Sequence, residues 1–524
     1  MRGNTRAMGY FLIKKFMKRH SHSQTGAALI IFLTIMVLGI SAILLSELNT
    51  NNDLMLDDQA QTAQALAQAK EALIGYAASY YDTVYYDPVS KTKKSKYLYG
   101  FLPCPDVDHT NPTKWFEGET HGTCGSKNES QLGRLPWASL GLPPSRDGAG
   151  ECLWYAVSGP YKHGPQTDML NEDTNGLFEV LRSDGTTTPS TIVGETPQDR
   201  VVAVIIAPGK RLEDKDNAQD RYLESGAEIC GGNYTASNYL DSYASVNNAQ
   251  IQKDKDKNFT NKAYEFIIAQ DNSSPINDQI VYITREELWS YVRKRTDFTN
   301  KKDTGMRILT LTVARCIAGY ANNSLVDRRL PWAAPMNLLD YSEDSQYDDQ
   351  NTLLSGRLPD IVDDSTTTVN LNLITGCSSI TSDDELSKLW QNWKDHLFYA
   401  VAEAHKPNAN NITPVCDNSD VNLENDCLTV NGNLYAAVVM FANSPLPAGK
   451  QDNSQQVRDI ADKADITNYL EQTNATNTGG NGTYLQWDMS NSINDILYCI
   501  DEDNLDVHFC PCTEEVKEIL PWCE

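Results

Sequence analysis

Residues 171–182 carry the spacing of the first half of a calcium loop. Asn171, Asp173 and Asn175 place oxygen ligands at loop positions 1, 3 and 5, Gly176 stands at position 6, and Glu179 falls at position 9. Position 12, where such a loop takes a bidentate acid, is Arg182. The competing reading is an Asx-type turn, in which the same oxygens cap nearby backbone N–H groups. Calcium is the one cofactor these residues suggest.

Cysteine is the second chemical resource. The twelve are Cys104, Cys124, Cys152, Cys230, Cys316, Cys377, Cys416, Cys427, Cys499, Cys510, Cys512 and Cys523. An even number confined to one part of the chain reads as disulfides formed in an oxidising compartment. Spacing leaves the pairing open; Cys104–Cys124, Cys152–Cys230 and Cys416–Cys427 are the local candidates. Cys510-Pro-Cys512, near His508 and Cys523, offers zinc as an alternative, against disulfides as the default outside the cytoplasm.

No nucleophile elbow, HExxH, P-loop or dinucleotide fingerprint occurs, and the eight histidines are scattered. Carboxylates are too abundant for a pair to be informative. The reading is a chain that is not an enzyme, with no catalytic residues.

The first 50 residues explain why the cysteines lie where they do. A leader with six Lys/Arg and no acid ends at Gly26, and an uncharged run follows from Ala27 to Leu45. Such a run spans a bilayer as a helix, and the cation excess holds the leader in the cytoplasm. A secretory signal has its small-residue cleavage site after the apolar core. Here the small residue precedes it. That order resembles the type IV prepilin and pseudopilin family. The resemblance implies cleavage by a prepilin peptidase between Gly26 and Ala27, retention of the apolar helix, and packing of that helix against other pilins or pseudopilins on an inner-membrane assembly platform. Most pilins carry glutamate at the fifth mature position; here it is Ile31. Loss of that glutamate resembles the tip-located minor pseudopilin of type II secretion. The elements Leu102–Asp106, Leu132–Trp137 and Gly150–Ser158 also resemble a recurrent set of large prepilin-like bacterial proteins.

The elements that follow must present this head. Ser46 to Tyr81 has no proline and is rich in helix formers. Ala63, Leu66, Ala67, Lys70, Leu73, Ile74 and Ala77 fall on one helical face. The expectation is one rod from Ala27 to about Tyr80, roughly 80 Å long. Removing the leader takes the formal charge from −26 to −32. So acidic a head excludes nucleic acid as a partner.

Five segments then recur in order. Ala69–Ala77 matches Val313–Ala321, and Gly133-Arg-Leu-Pro136 matches Gly356-Arg-Leu-Pro359. Leu153–Ser158 matches Leu397–Ala402, Val202–Pro208 matches Ala436–Ala442, and Ile276–Ile283 matches Ile493–Ile500. A tandem duplication explains this order. Each copy reads as a helix followed by short strands, with Val201–Ala207 and Ala436–Phe441 as buried strands. The expected fold class is α+β: a long N-terminal pilin-type helix, then a duplicated disulfide-bonded head with antiparallel sheets. The domains would be a leader (1–26), the helix (27–81, transmembrane over 27–45), and two head repeats (82–300 and 301–524).

The expected function is a minor pilin-like or pseudopilin-like subunit at a filament tip. It would be anchored in the bacterial inner membrane, with its head in the periplasm or outside the cell. The alternatives are a tip adhesin, using aromatics such as Trp115, Trp390 and Trp393, and a membrane-anchored periplasmic enzyme.

Overall fold

The computed structural model describes residues 50–510. Within that span it leaves out 83, 87–92, 96–97, 108–115, 121, 168, 184–187, 213–218, 252–262, 270–275, 300–304, 323–327, 363–370, 381–384, 408–415, 417–425, 447–455, 460 and 487–492. Gly26, Ala27, the apolar run 27–45, Ile31, Trp115, Cys512 and Cys523 lie outside the described residues.

The first described helix, α1, is Thr50–Ser79. It corrects the expected pilin-type rod. With Asp53, Asp57, Asp58, Glu71 and a run of glutamines, α1 is too polar to enter lipid, and among the described residues no helix is long and apolar enough to cross a membrane. Among the described residues the fold is a sheet-rich α+β fold, and no long N-terminal apolar helix is shown. The buried face of α1 agrees with the expected one at Leu66, Leu73, Ile74 and Ala77 and departs from it at Ala63 and Ala67. Thr62, Ala65, Leu66, Ala69, Leu73, Ile74 and Ala77 are buried, whereas Ala63 and Ala67 are exposed. Small residues at 65, 69 and 77 let the helix close on a sheet; the larger Lys70 lies at the margin, paired with Glu287 at 2.8 Å.

The first sheet is built from β1 (Gln131–Arg134), β2 (Trp154–Val157), β3 (Phe178–Arg182), β4 (Ser190–Val193), β5 (Val201–Ala207), β6 (Tyr264–Ile268) and β7 (Gln279–Thr284). Its central part is antiparallel in the order β1-β2-β5-β7. β7 runs into α2 (Arg285–Arg293), and α3 (Gly305–Ala321) follows. The second sheet comprises β8 (Ser355–Arg357), β9 (Leu397–Val401), β10 (Ala437–Phe441), β11 (Ile496–Ile500) and β12 (Val507–Phe509), all antiparallel in that order. Helix α4 (Glu385–Trp393) leads into β9.

The two sheets repeat one register. Gly133 faces Tyr155 and Gly356 faces Tyr399; Tyr155 faces Ile205 and Tyr399 faces Val439; Ile205 faces Val281 and Val439 faces Tyr498. In both, the inward faces and the helices α1 and α3 contribute to one continuous apolar core. Trp289 of α2 and Trp393 of α4 meet edge to face within it, 5.5 Å apart. The outward faces carry a separate cluster each. The two halves therefore share an interior, and residues 61–524 form one compact unit.

The recurrent Gly-Arg-Leu-Pro element has a structural cause. A Cβ on Gly133 would stand 2.6 Å from Asp106 O, and one on Gly356 2.2 Å from Ala334 O. Glycine permits that approach, and the next residue exchanges two backbone hydrogen bonds with the same neighbour: Arg134 with Asp106, and Arg357 with Ala334. The Arg134 guanidinium donates to Gly231 O (2.6 Å) and Asn233 O (2.9 Å). That of Arg357 donates to Met336 O (3.1 Å), Lys463 O (2.6 Å) and Asp395 O. Arg134 stacks on Tyr234 and Tyr239, and Arg357 on Tyr341, Phe398 and Tyr469. Each arginine fastens the loops that cover the outer face of its sheet.

Disulfides close each half. The pairs are Cys104–Cys124, Cys152–Cys230, Cys316–Cys377, Cys416–Cys427 and Cys499–Cys510, and no described cysteine is free.

Candidate functional site

Among the described residues, a dense group of titratable side chains lies where the two halves meet. Its first-half members sit on the turn 171–175. Asn171 Oδ1 accepts from Asp173 N at 3.0 Å, an Asx turn that fixes the loop. Its Nδ2 reaches across to Asn392 O (2.9 Å) and Asp395 Oδ1 (2.8 Å). The second-half members are Asp395 and His396, at the entry to β9, and Arg458, Lys463 and Tyr469 on the loop ahead of β11.

His396 is wholly buried between two carboxylates. Its Nδ1 lies 3.0 Å from Asp395 Oδ1 and its Nε2 3.4 Å from Asp173 Oδ2. Tyr469 donates its hydroxyl to Asp173 Oδ2 at 2.8 Å, and Lys463 Nζ bonds Asp395 and stands 3.6 Å from Asp173. Glu172 bridges Arg458 and Arg293, each at 2.9 Å. Burial disfavours the charged imidazole, yet Asp173 and Asp395 outweigh it and hold the His396 pKa above its ordinary value. Burial pushes both aspartates up, but His396 and Lys463 hold Asp173 and Asp395 well below the usual carboxylate range.

Glu172, Asp173 and His396 have their ligand atoms within 4.8 Å of one another, a spacing suited to a metal. The charge does not suit one. Arg293, Arg458 and Lys463 already neutralise these carboxylates, and a divalent cation would meet that positive charge at close range. The sequence-derived calcium residues are engaged in the same way. Asn175 Oδ1 accepts from Arg285 at 2.7 Å, its Nδ2 donates to Asp459 at 3.0 Å, and Arg285 also binds Asp173 O at 3.1 Å. A second grouping, His405 with Cys416 and Cys427, offers no thiolate because the two cysteines are bonded to each other. Buried and internally compensated, the central cluster can hold the halves together and fix the 171–175 turn; it exposes no group to a substrate.

The two halves also carry a matching pair of carboxyl clasps. Asp241 Oδ2 accepts from Asn277 N and Asp278 N, while Asp278 Oδ2 accepts from Asp241 N and Asn248 Nδ2. In the second half Glu471 Oε2 accepts from Asn494 N, and Asp495 Oδ2 accepts from Glu471 N and Asn474 Nδ2. Gln219 with Arg221, and Gln456 with Arg458, brace the two clasps through equivalent bonds. Burial, and then the charge of the neighbouring acid, push Asp278 and Asp495 well above the usual carboxylate range. Sequence reading missed these clasps. Their signal was present as Thr235-Ala-Ser-Asn-Tyr-Leu-Asp241 against Asp465-Ile-Thr-Asn-Tyr-Leu-Glu471.

Of the aromatics suggested for an adhesin, the two described ones, Trp390 and Trp393, do not reach the surface. Trp390 and Trp393 are each 1 % exposed and belong to the shared core, because α4 turns its apolar face inward.

No protein-family model matches this chain, and no curated protein or solved structure matches it either.

Proposed function

We propose that this chain is a non-catalytic structural subunit of the prepilin type, a minor component that assembles or caps a filament. The observation that carries the reading is the position of Gly26, between an acid-free basic leader and the uncharged run 27–45. Two features of the head support it. The five described disulfides suit an exported protein, and the strongest charge cluster is spent on holding the two halves together. The partners are other prepilin-type subunits, the peptidase and the inner-membrane assembly platform. Ile31 in place of glutamate favours a tip position, with few copies per filament.

Expression beside a prepilin peptidase tests this. The mature N-terminus should map to Ala27, and Gly26→Val should accumulate the longer precursor. A mature terminus elsewhere, or equal processing of the variant, overturns the reading. Gold labelling confined to filament ends supports the tip position, and labelling along the shaft overturns it.

A further inference from the structure

β7 and β11 hold the same place in their sheets, yet they are treated differently. β11 is buried along its whole length. Its outer edge is covered by β12, with Tyr498 facing Phe509, Cys499 facing His508 and Ile500 facing Val507, and Cys499 is bonded to Cys510. β7 pairs only with β5 among the described residues. The chain leaves it directly at Thr284, whose hydroxyl caps α2 by accepting from Glu287 N. Gln279 is exposed, and Ile280, Val281, Tyr282 and Thr284 keep partial exposure.

An open sheet edge presents unpaired N–H and C=O groups, and proteins usually blunt it with charge, proline or a bulge. β7 has the sequence Gln-Ile-Val-Tyr-Ile-Thr, all uncharged and mostly strong strand formers. Its one irregularity falls at Ile283/Thr284, at the end. The helix beside it differs in the same sense. In the second half Arg307 of α3 sits 4.4 Å from the ring of Phe509 on the covering strand. The alignment of Ala69–Ala77 with Val313–Ala321 puts Ala63 at the corresponding position of α1, and Ala63 is exposed. The first half thus has a small side chain where the second has an arginine packed on phenylalanine.

We propose that the β7 edge is a docking site for an extended segment of another polypeptide. The segment adds as an antiparallel strand in the place β12 takes on β11, with apolar residues alternating and a large aromatic residue opposite Val281. The occupied edge in the same chain supplies the template for register and chemistry. The inference stands apart from the filament reading, since it rests only on the comparison of the two halves.

The test uses the purified full chain and a labelled peptide with the sequence of residues 504–509, Asn-Leu-Asp-Val-His-Phe. Amide hydrogen exchange is followed by mass spectrometry. In the protein alone, the amides of 279–284 should include a fast-exchanging set, while those of Ile496–Ile500 exchange slowly. Peptide should slow exchange at 279–284 saturably, and Ala63→Trp, a bulky change at the exposed position that corresponds to Arg307, should abolish the effect. Leu339→Lys, at a 96 % exposed apolar residue elsewhere, should leave it intact. Full protection of 279–284 without peptide, no slowing with it, or slowing that survives Ala63→Trp would each overturn the proposal.

Discussion

His396 Nε2 lies 3.4 Å from Asp173 Oδ2, and the two residues come from opposite halves of the chain, which share one strand register. This contact, with Asn171 to Asp395 and Glu172 to Arg458, joins the halves by charge where the tryptophans join them by packing.

Removing the imidazole should be costly. His396→Gln leaves Asp173 and Asp395 facing each other with less compensation, and about 3–5 kcal/mol of stability should be lost. The pH dependence checks the cause. The pKa of His396 is raised in the fold, so its contribution is complete below its unfolded value near ~6.5 and fades as pH rises through the folded value. Asp173 and Asp395 are depressed, so theirs is present above ~4 and fades as pH falls through the folded values. Denaturant midpoints against pH should show a weakened alkaline limb in the variant. An unchanged profile would refute the assignment.

The carboxyl clasps have the opposite sign. Asp278 and Asp495 are raised in the fold, so each costs stability progressively as pH climbs from about 4 toward the folded value. Asp278→Asn and Asp495→Asn keep an oxygen for the two N–H donors and remove the proton demand. Both variants should match or exceed the parent in stability at pH 8 and lose that advantage near pH 3. Thermal melts at the two pH values decide the matter.

Arg357 is fully buried, and its guanidinium donates to three carbonyls on separate loops. Lysine cannot reproduce the planar fork. Arg357→Lys should lose roughly 3 kcal/mol, with Arg134→Lys showing a loss of the same order in the other half. Equilibrium unfolding measures both; a loss below about 0.5 kcal/mol, typical of a surface site, would contradict the role.

Trp393 packs against Trp289, Phe298 and Phe441. Trp393→Ala should cost about 3–5 kcal/mol. Near-ultraviolet circular dichroism should change with it, because the tryptophan pair is dismantled. A fully stable variant would place the residue at the surface after all.

Breaking the Cys316–Cys377 bond, which links α3 to the loop ahead of α4, should cost about 2–5 kcal/mol. Unreduced peptide mapping of the parent should recover the five described pairs.

Much of the framework was legible because strand period and burial agree. Val201–Ala207 reads as a buried strand and forms one with those bounds, and Ala436–Phe441 forms Ala437–Phe441. The repeated Gly-Arg-Leu-Pro was visible as text, while its cause, a backbone approach too close for any Cβ, needed coordinates. On α1 the reading placed Leu66, Leu73, Ile74 and Ala77 on the buried face, where they lie, but took Ala63 and Ala67 for it in place of Ala65 and Ala69, because alanine fits either seam. Trp390 and Trp393 were assigned to a surface because one amphipathic helix does not say which body covers it. The partnership of His396 with Asp173 was invisible, since residues so far apart in sequence are joined only by the docking of the halves.

The described disulfides all close loops inside one half, and the stretch from Cys230 to Cys316 carries none of them. Under tension along the chain, the two halves would part before either unravelled. The cross-links would limit how far each released half lengthens. Yielding would come first at the charge cluster and the tryptophan contact, so the head would act as a mechanical fuse with two covalently shortened segments.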